Sequence, residues 1–202
     1  MTKRKAEIKR KTKETEITIK LNIDGTGETK INTGIGFLDH MLELFAFWGH
    51  FDLNILAKGD LKVDIHHTNE DIGIALGQAF KRALGDKKGI KRIGSASAPM
   101  ENTTANVTLD ISGRGSFKLN IQPSKYEFPT DKGGYELKYS EHLFDAFAKN
   151  LGMNLNVRLE NPDQDLHATL EPVFKALAIA LDQATQIDPR RKGVPSTKGV
   201  IG

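Results

Sequence analysis

The sequence predicts an α+β protein made of two similar halves from an internal duplication, each a mostly antiparallel sheet with helices on one face. Three observations predict it. Short stretches alternate apolar and polar residues, as half-buried strands do. Longer stretches repeat apolar residues at helical spacing. One block of chain is written twice: Asp39-His40-Met41-Leu42 is matched by Glu141-His142-Leu143-Phe144, "FDLNI" (51–55) by "MNLNV" (153–157), and "HHTNEDIGIAL" (66–76) by "HATLEPVFKAL" (167–177). The histidines at 40 and 66 stand 26 residues apart, those at 142 and 167 stand 25 apart. A repeat of this kind is read before anything else because it fixes the architecture.

The elements follow in order. "ITIKLNI" (17–23) alternates strictly and predicts a strand, closed by the turn residues of "DGTGETK". Leu38, Met41, Leu42 and Phe45 share one face of a helix over 36–48. "FDLNIL" and "LKVDI" predict a strand pair across "AKGD". Thr68 with Asp71 predicts a capping box that opens a helix running to about Leu84. "ANVTLDIS" (105–112) alternates again, with "FKLNI" (117–121) as its hairpin partner. A helix near 139–150, a strand near 153–159 and a helix near 171–186 complete a second unit of helix, strand, strand, helix. Pro172 constrains where that last helix begins, since proline suits a first turn. The organisation predicted is a first repeat over 1–90, a second over 91–187, and a basic tail containing Gly and Pro over 188–202.

A chain of 202 residues buries a core without covalent staples. It has no cysteine, which excludes disulfides and thiolate metal sites. No apolar run approaches the roughly 20 residues of a membrane span, and the charged N-terminus lacks a signal-peptide core. The expected location is cytoplasmic, with no membrane partner. The net charge of +3 is unevenly spread. Lys3, Arg4, Lys5, Lys9, Arg10, Lys11 and Lys13 crowd one end, Lys87, Lys88, Lys91 and Arg92 form a second group, and Arg190, Arg191, Lys192 and Lys198 a third. Such groups suit phosphorylated ligands or nucleic acid, and equally a plain solvated face.

The six histidines carry the chemistry. His66 and Glu70 lie four apart, on one helical face, and His167 and Glu171 repeat the spacing. A lone histidine on a helix is more often a capping or core residue, and His50 reads that way. The repeated His-x-x-x-Glu points instead to metal ligands, with nitrogen and carboxylate donors favouring Mn²⁺, Fe²⁺, Zn²⁺ or Ni²⁺ over Ca²⁺. His67 is rotated about 100° from His66 on a helix, so the adjacent pair suits two metal centres rather than one. No G-x-S-x-G, Rossmann or P-loop motif competes.

"TGIGFLDHML", "HHTNEDIGIALGQAF", "LDISGR", "EPVFKALAIAL" and "DPRRKGVPSTKGV", in this order, resemble the imidazoleglycerol-phosphate dehydratases of histidine biosynthesis from about residue 4 to 201. The resemblance implies a carbon–oxygen lyase that removes water from D-erythro-imidazole-glycerol phosphate to give imidazole-acetol phosphate. It implies two Mn²⁺ ions per site and a homo-oligomer of trimers forming a 24-mer, with sites at subunit interfaces. It makes His40, His66, His67, Glu70, His142, His167 and Glu171 metal ligands, and Arg92, Arg114, Lys175, Ser196 and Lys198 the phosphate clamp. Glu14 falls where the family has an active-site acid, and Glu14, His67 and Glu171 are the implied catalytic groups. The sequence departs from the family pattern at Ala168, which replaces a second histidine, at Trp48, which replaces a histidine, at Ile65, which replaces an aspartate, and in "MEN" (100–102), which replaces an acidic pair. The missing imidazole at 168 keeps a second reading open, a diverged paralogue with an incomplete metal site. A third, a basic nucleic-acid-binding module, is weakened by the scarcity of aromatics interleaved with Lys and Arg.

Overall fold

The computed structural model of the protein describes residues 4–123 and 134–201, so Lys3 of the basic run lies outside the described residues. The first half runs β1 (Lys5–Lys11), β2 (Thr15–Asn22), β3 (Thr29–Asn32), α1 (Gly36–Gly49), β4 (Asp52–Gly59) and α2 (Ile65–Leu84). The second half repeats that order as β5 (Ile93–Met100), β6 (Thr103–Asp110), β7 (Ser116–Gln122), α3 (Leu137–Leu151), β8 (Asn154–Glu160) and α4 (Leu166–Thr185). The strands form two four-stranded sheets, β1-β2-β4-β3 and β5-β6-β8-β7. Pairing is antiparallel except for β3 with β4 and β7 with β8. The architecture is α+β with two similar halves, as predicted.

Register follows the apolar alternation. Ile17, Ile19 and Leu21 of β2 lie opposite Ala57, Ile55 and Leu53 of β4, so both strands present their buried residues to the same side. In the second sheet Ala105, Val107 and Leu109 stand opposite Leu159, Val157 and Leu155. The helices cover these faces, and they also pack on each other across the halves, α2 on α3 and α1 on α4. Phe45, Phe80 and Phe147 meet there, with Phe147 centred 5.6 Å from Phe80 and 6.2 Å from Phe45. The two halves therefore share one core.

The α2–α3 crossing is close because α2 has no side chain in the way. A Cβ on Gly73 would sit 2.6 Å from the Leu143 carbonyl oxygen, and one on Gly77 would sit 2.7 Å from that of Phe147. Both obstacles are backbone, which cannot swing aside. Gly77→Ala is therefore expected to destabilise the protein by about 1–3 kcal/mol through overpacking. Denaturant unfolding with an unchanged m-value checks this, and an unshifted midpoint contradicts it.

Several elements differ from expectation. "LKVDI" forms no strand: Leu61–Val63 turn and α2 begins at Ile65, while β4 pairs with β2 and β3. β7 is no hairpin partner of β6, since it lies parallel to β8. The duplicated unit is thus three strands, helix, strand, helix, and the matching segments are only its last three elements. The predicted capping box of Thr68 and Asp71 falls inside α2. The cap is Asp64, whose carboxylate accepts the His66 backbone N–H at 3.0 Å. α4 begins at Leu166 rather than near 171, because Asp165 caps it by accepting the His167 N–H at 2.9 Å. Pro172 consequently lies within the helix, at the cost of the hydrogen bond to the Ala168 carbonyl.

Candidate metal centre

The same local device presents the key histidine of α2 and of α4. An aspartate two residues ahead caps each helix, which places His66 and His167 in the first turn with Glu70 and Glu171 one turn on. At the start of α1, Asp39 accepts the Thr33 backbone N–H at 2.8 Å and so anchors the turn from which His40 projects.

The histidines then meet across the halves. His40 of α1 joins His167 and Glu171 of α4. One donor atom from each of the three lies within 4.8 Å of the other two. His167 Nε2 stands 3.0 Å and His40 Nε2 3.9 Å from Glu171 Oε2. Two ligands each about 2.1 Å from an ion lie roughly 3–4 Å apart, so this donor set fits a divalent transition metal. In the other direction, His142 of α3 meets His66 of α2, while Glu70 lies against the other nitrogen of the His66 ring, so these three donors do not converge as the first three do. The His66 and His142 Nδ1 atoms are 2.7 Å apart, and His66 Nε2 is 3.4 Å from Glu70. At 2.7 Å two lone pairs cannot face each other, so one ring carries a proton there. Each cluster takes its isolated histidine from one half and its His-x-x-x-Glu from the other. The close approach allowed by Gly73 and Gly77 is what brings His142 within reach of His66.

His67 belongs to neither cluster. Its ring lies 5.9 Å from that of His66 and 71° to it. Its Nδ1 is 3.1 Å from Asp60 and 3.8 Å from Glu14. A carboxylate accepts only, so Nδ1 carries the proton and Nε2 is left as the free donor atom. The hydrogen bond to Asp60 raises the His67 pKa above its ordinary value. The charges of Glu14, Asp60 and Asp64 add to this, and slight burial opposes it. Glu14 and Asp60 share the wall of an open cleft of about 370 Å³ formed by residues 11–16 and 58–60. Asp60 was missed in the sequence, where it stands in the "AKGD" connection between two predicted strands.

Of the two glutamates that follow the helix-start histidines, Glu171 is the more engaged. Its Oε2 faces the two imidazoles and its Oε1 pairs with Lys175. Burial opposes its ionisation, yet the hydrogen bond and charge of Lys175, with His167 behind them, hold the carboxyl below the usual carboxylate range.

This arrangement stands beside close relatives. The family model described as imidazoleglycerol-phosphate dehydratase matches residues 33–181. The chain belongs to the imidazoleglycerol-phosphate dehydratase family. It is 52% identical over 198 residues to the imidazoleglycerol-phosphate dehydratase of Geobacter metallireducens, covering 98% of this chain and 99% of that one. It is also 52% identical to that of a Thermoanaerobacter species, covering 98% and 100%. Among solved structures, that of the Staphylococcus aureus imidazoleglycerol-phosphate dehydratase superposes with a TM-score of 0.78 at 33% identity, covering 91% of this chain and 99% of that one. The Pyrococcus furiosus enzyme, solved in complex with (S)-C348, also gives 0.78, at 32% identity and covering 96% and 99%.

Within an imidazoleglycerol-phosphate dehydratase fold the expected cationic residues lie in different surroundings. Arg92 is spoken for: Nε and Nη2 donate to Asp110 at 2.6 and 2.8 Å, and Nη1 donates to the Pro195 carbonyl at 2.8 Å. It thereby fixes the tail segment carrying Ser196, whose hydroxyl accepts the Lys198 N–H at 3.2 Å. Lys198 and Arg114 are exposed. Lys175 sits at the first cluster, with Nζ 5.7 Å from the ring centre of Trp48. Among the described residues no hydrogen bond or ion pair joins Lys175 or Arg114 to the other three. The family departures are asymmetric in effect. Ala168, the counterpart of His67, is buried at 5% exposure, so the second half has no equivalent of the His67–Asp60–Glu14 group. Ile65 is a partly buried core neighbour. Glu101 and Asn102 form the turn between β5 and β6.

Proposed function

We propose that this chain removes water from D-erythro-imidazole-glycerol phosphate to give imidazole-acetol phosphate, a step of histidine biosynthesis. The crossed pairing of His40 with His167 and Glu171, in a chain that matches the family over nearly its whole length, carries the reading. One Mn²⁺ would be held by His40, His167 and Glu171; a second would draw donors from His66, His142 and Glu70, where His66 turns opposite ring nitrogens to the other two, with the rest supplied by a neighbouring copy. Bound to the imidazole nitrogens of the substrate, such ions would favour loss of the ring N–H, leaving an electron-rich ring that helps expel the hydroxyl on its attached carbon, the proton being lost from the next carbon along.

The remaining work falls to this chain's side chains. Glu14 is exposed at the cleft with its carboxylate near His67, and it takes the C–H proton. His67, protonated on Nδ1 by its contact with Asp60, offers Nε2 outward to a centre completed by another copy of the chain. Both oxygens of Glu171 are engaged, so it serves as a ligand and orienting charge rather than as a proton carrier. Lys175, Arg114, Lys198 and Ser196, with Arg92 steadying the tail, hold the phosphate and so fix the position of the reacting carbon.

The exposure of His40, at 45% for its side chain, suits a site finished by neighbouring subunits, as in a homo-oligomer of trimers forming a 24-mer. No helix among the described residues is long and apolar enough to cross a membrane, which is compatible with a cytoplasmic enzyme. The nucleic-acid reading gains nothing here, because Lys5, Lys9, Arg10 and Lys11 of the N-terminal basic run lie in β1, with Lys9 and Lys11 paired to Glu7 and Glu16 on an exposed edge. The decisive experiment follows imidazole-acetol phosphate formation by protein stripped with a chelator and then given Mn²⁺. Turnover that vanishes and returns supports the reading over the paralogue with an incomplete site; no turnover in any metal contradicts it.

A further inference from the structure

The turn between β1 and β2 carries Glu14, and a chain of hydrogen bonds ties that turn to a buried carboxylate on α2. Asp71 is 8% exposed. Its Oδ1 accepts from Arg10 Nε at 2.8 Å and pairs with Nη2 at 2.7 Å, and its Oδ2 accepts the Thr15 hydroxyl at 2.5 Å. Thr15 is itself buried and has a single hydroxyl proton, which the carboxylate takes. The Thr12 hydroxyl, 3.2 Å from Thr15 Oγ1, must then donate to it. That leaves the Thr12 lone pairs for the backbone N–H groups of Glu14 at 3.1 Å and Thr15 at 2.9 Å. The Thr12 N–H closes the turn on the Thr15 carbonyl at 2.9 Å. Every donor between Asp71 and the Glu14 backbone is accounted for.

We propose that Asp71, acting through Thr15 and Thr12, is a positioning residue that fixes Glu14 against His67. The proposal rests on the reading of Glu14 as the proton acceptor. Asp71 lies four residues after His67, on the neighbouring turn of the same helix. The link therefore makes the acid and the imidazole parts of one body. Without it Glu14 sits at the tip of an edge hairpin, the kind of segment that opens locally at low cost. A displacement of 1 Å in a reacting group is enough to cost a hundredfold in rate.

Four variants test this: Glu14→Gln, Thr15→Val, Thr15→Ser and the double Glu14→Gln/Thr15→Val. Each is measured for kcat, KM and Mn²⁺ affinity. Expected are a large fall in kcat for Glu14→Gln and about a tenfold fall for Thr15→Val. KM and Mn²⁺ affinity should stay within about twofold, and Thr15→Ser, which keeps the hydroxyl, should retain the wild-type rate. Because Thr15 acts through Glu14, the double variant should be no slower than Glu14→Gln, a non-additivity that general damage does not produce. Glu14→Gln at wild-type speed overturns the reading of Glu14 and the proposal with it. A slow Glu14→Gln beside an unimpaired Thr15→Val, or losses that multiply in the double variant, overturns the positioning role alone. Asp71→Asn, if it folds, should follow Thr15→Val; a fold lost on that change leaves the threonine variants to decide.

Discussion

His66→Ala is expected to lower kcat/KM about a thousandfold, roughly 4 kcal/mol of transition-state stabilisation at 1.36 kcal/mol per tenfold. His66 is the member of its cluster that faces both others, with one ring nitrogen toward His142 and the other toward Glu70. Its removal leaves one imidazole and one carboxylate with nothing between them. The fold should survive, because the cap of α2 uses the His66 backbone N–H and not its ring. The ring is also about one-third exposed and fills no core space. The loss is thus expected with an unchanged melting temperature and a lower Mn²⁺ content. Wild-type turnover in this variant removes His66 from the site.

Glu171→Gln is expected to weaken Mn²⁺ binding at the other cluster and to cut turnover by at least about a hundredfold, a size typical of losing a metal-orienting group. The change keeps the shape of the side chain and removes its charge, on which His40, His167 and Lys175 all converge. Unlike His66, Glu171 should also reveal itself in stability. Its pKa is depressed in the folded protein, so the folded state holds fewer protons there than the unfolded state. The pairing therefore stabilises the protein above the ordinary carboxylate range, and that contribution is lost as pH falls through the depressed value. The glutamine variant should lose this acid-side dependence, seen as a flatter melting temperature against pH in metal-free buffer. An unchanged acid limb contradicts the assignment of the charge to this group.

The strands and helices that were legible in the sequence are those with one face buried. β2, β6 and β8 alternate because the helices cover only one side of each sheet, and the faces of α1 and α2 repeat at helical spacing for the same reason. Of the edge strands, β7 was legible but given the wrong partner, and β1, β3 and β5 were not legible. β1 is crowded with lysines that guard an open edge, and β5 is built of small residues with Pro99, both of which mask a strand pattern. "LKVDI" misled because Leu61 and Ile65 alternate by accident over a turn and a helix start. Of the site, the ligand types and their repeat were written in the sequence, whereas the Asp-x-His caps at 64–66 and 165–167 were passed over for a capping box at Thr68 and a helix start near 171. The exchange of partners between halves was not written there, because it depends on α1 packing on α4 and α2 on α3, a matter of tertiary contact. Asp60 and Asp71 were hidden for the same reason: each acts on a residue brought to it by folding.

The most direct test titrates chelator-stripped protein with Mn²⁺ while bound ion and dehydration rate are read together. The account predicts that activity climbs to its plateau at two ions per chain, and that His40→Ala and His66→Ala each remove one of them. Full turnover with one ion or none, or two ions still bound in both variants, would contradict it.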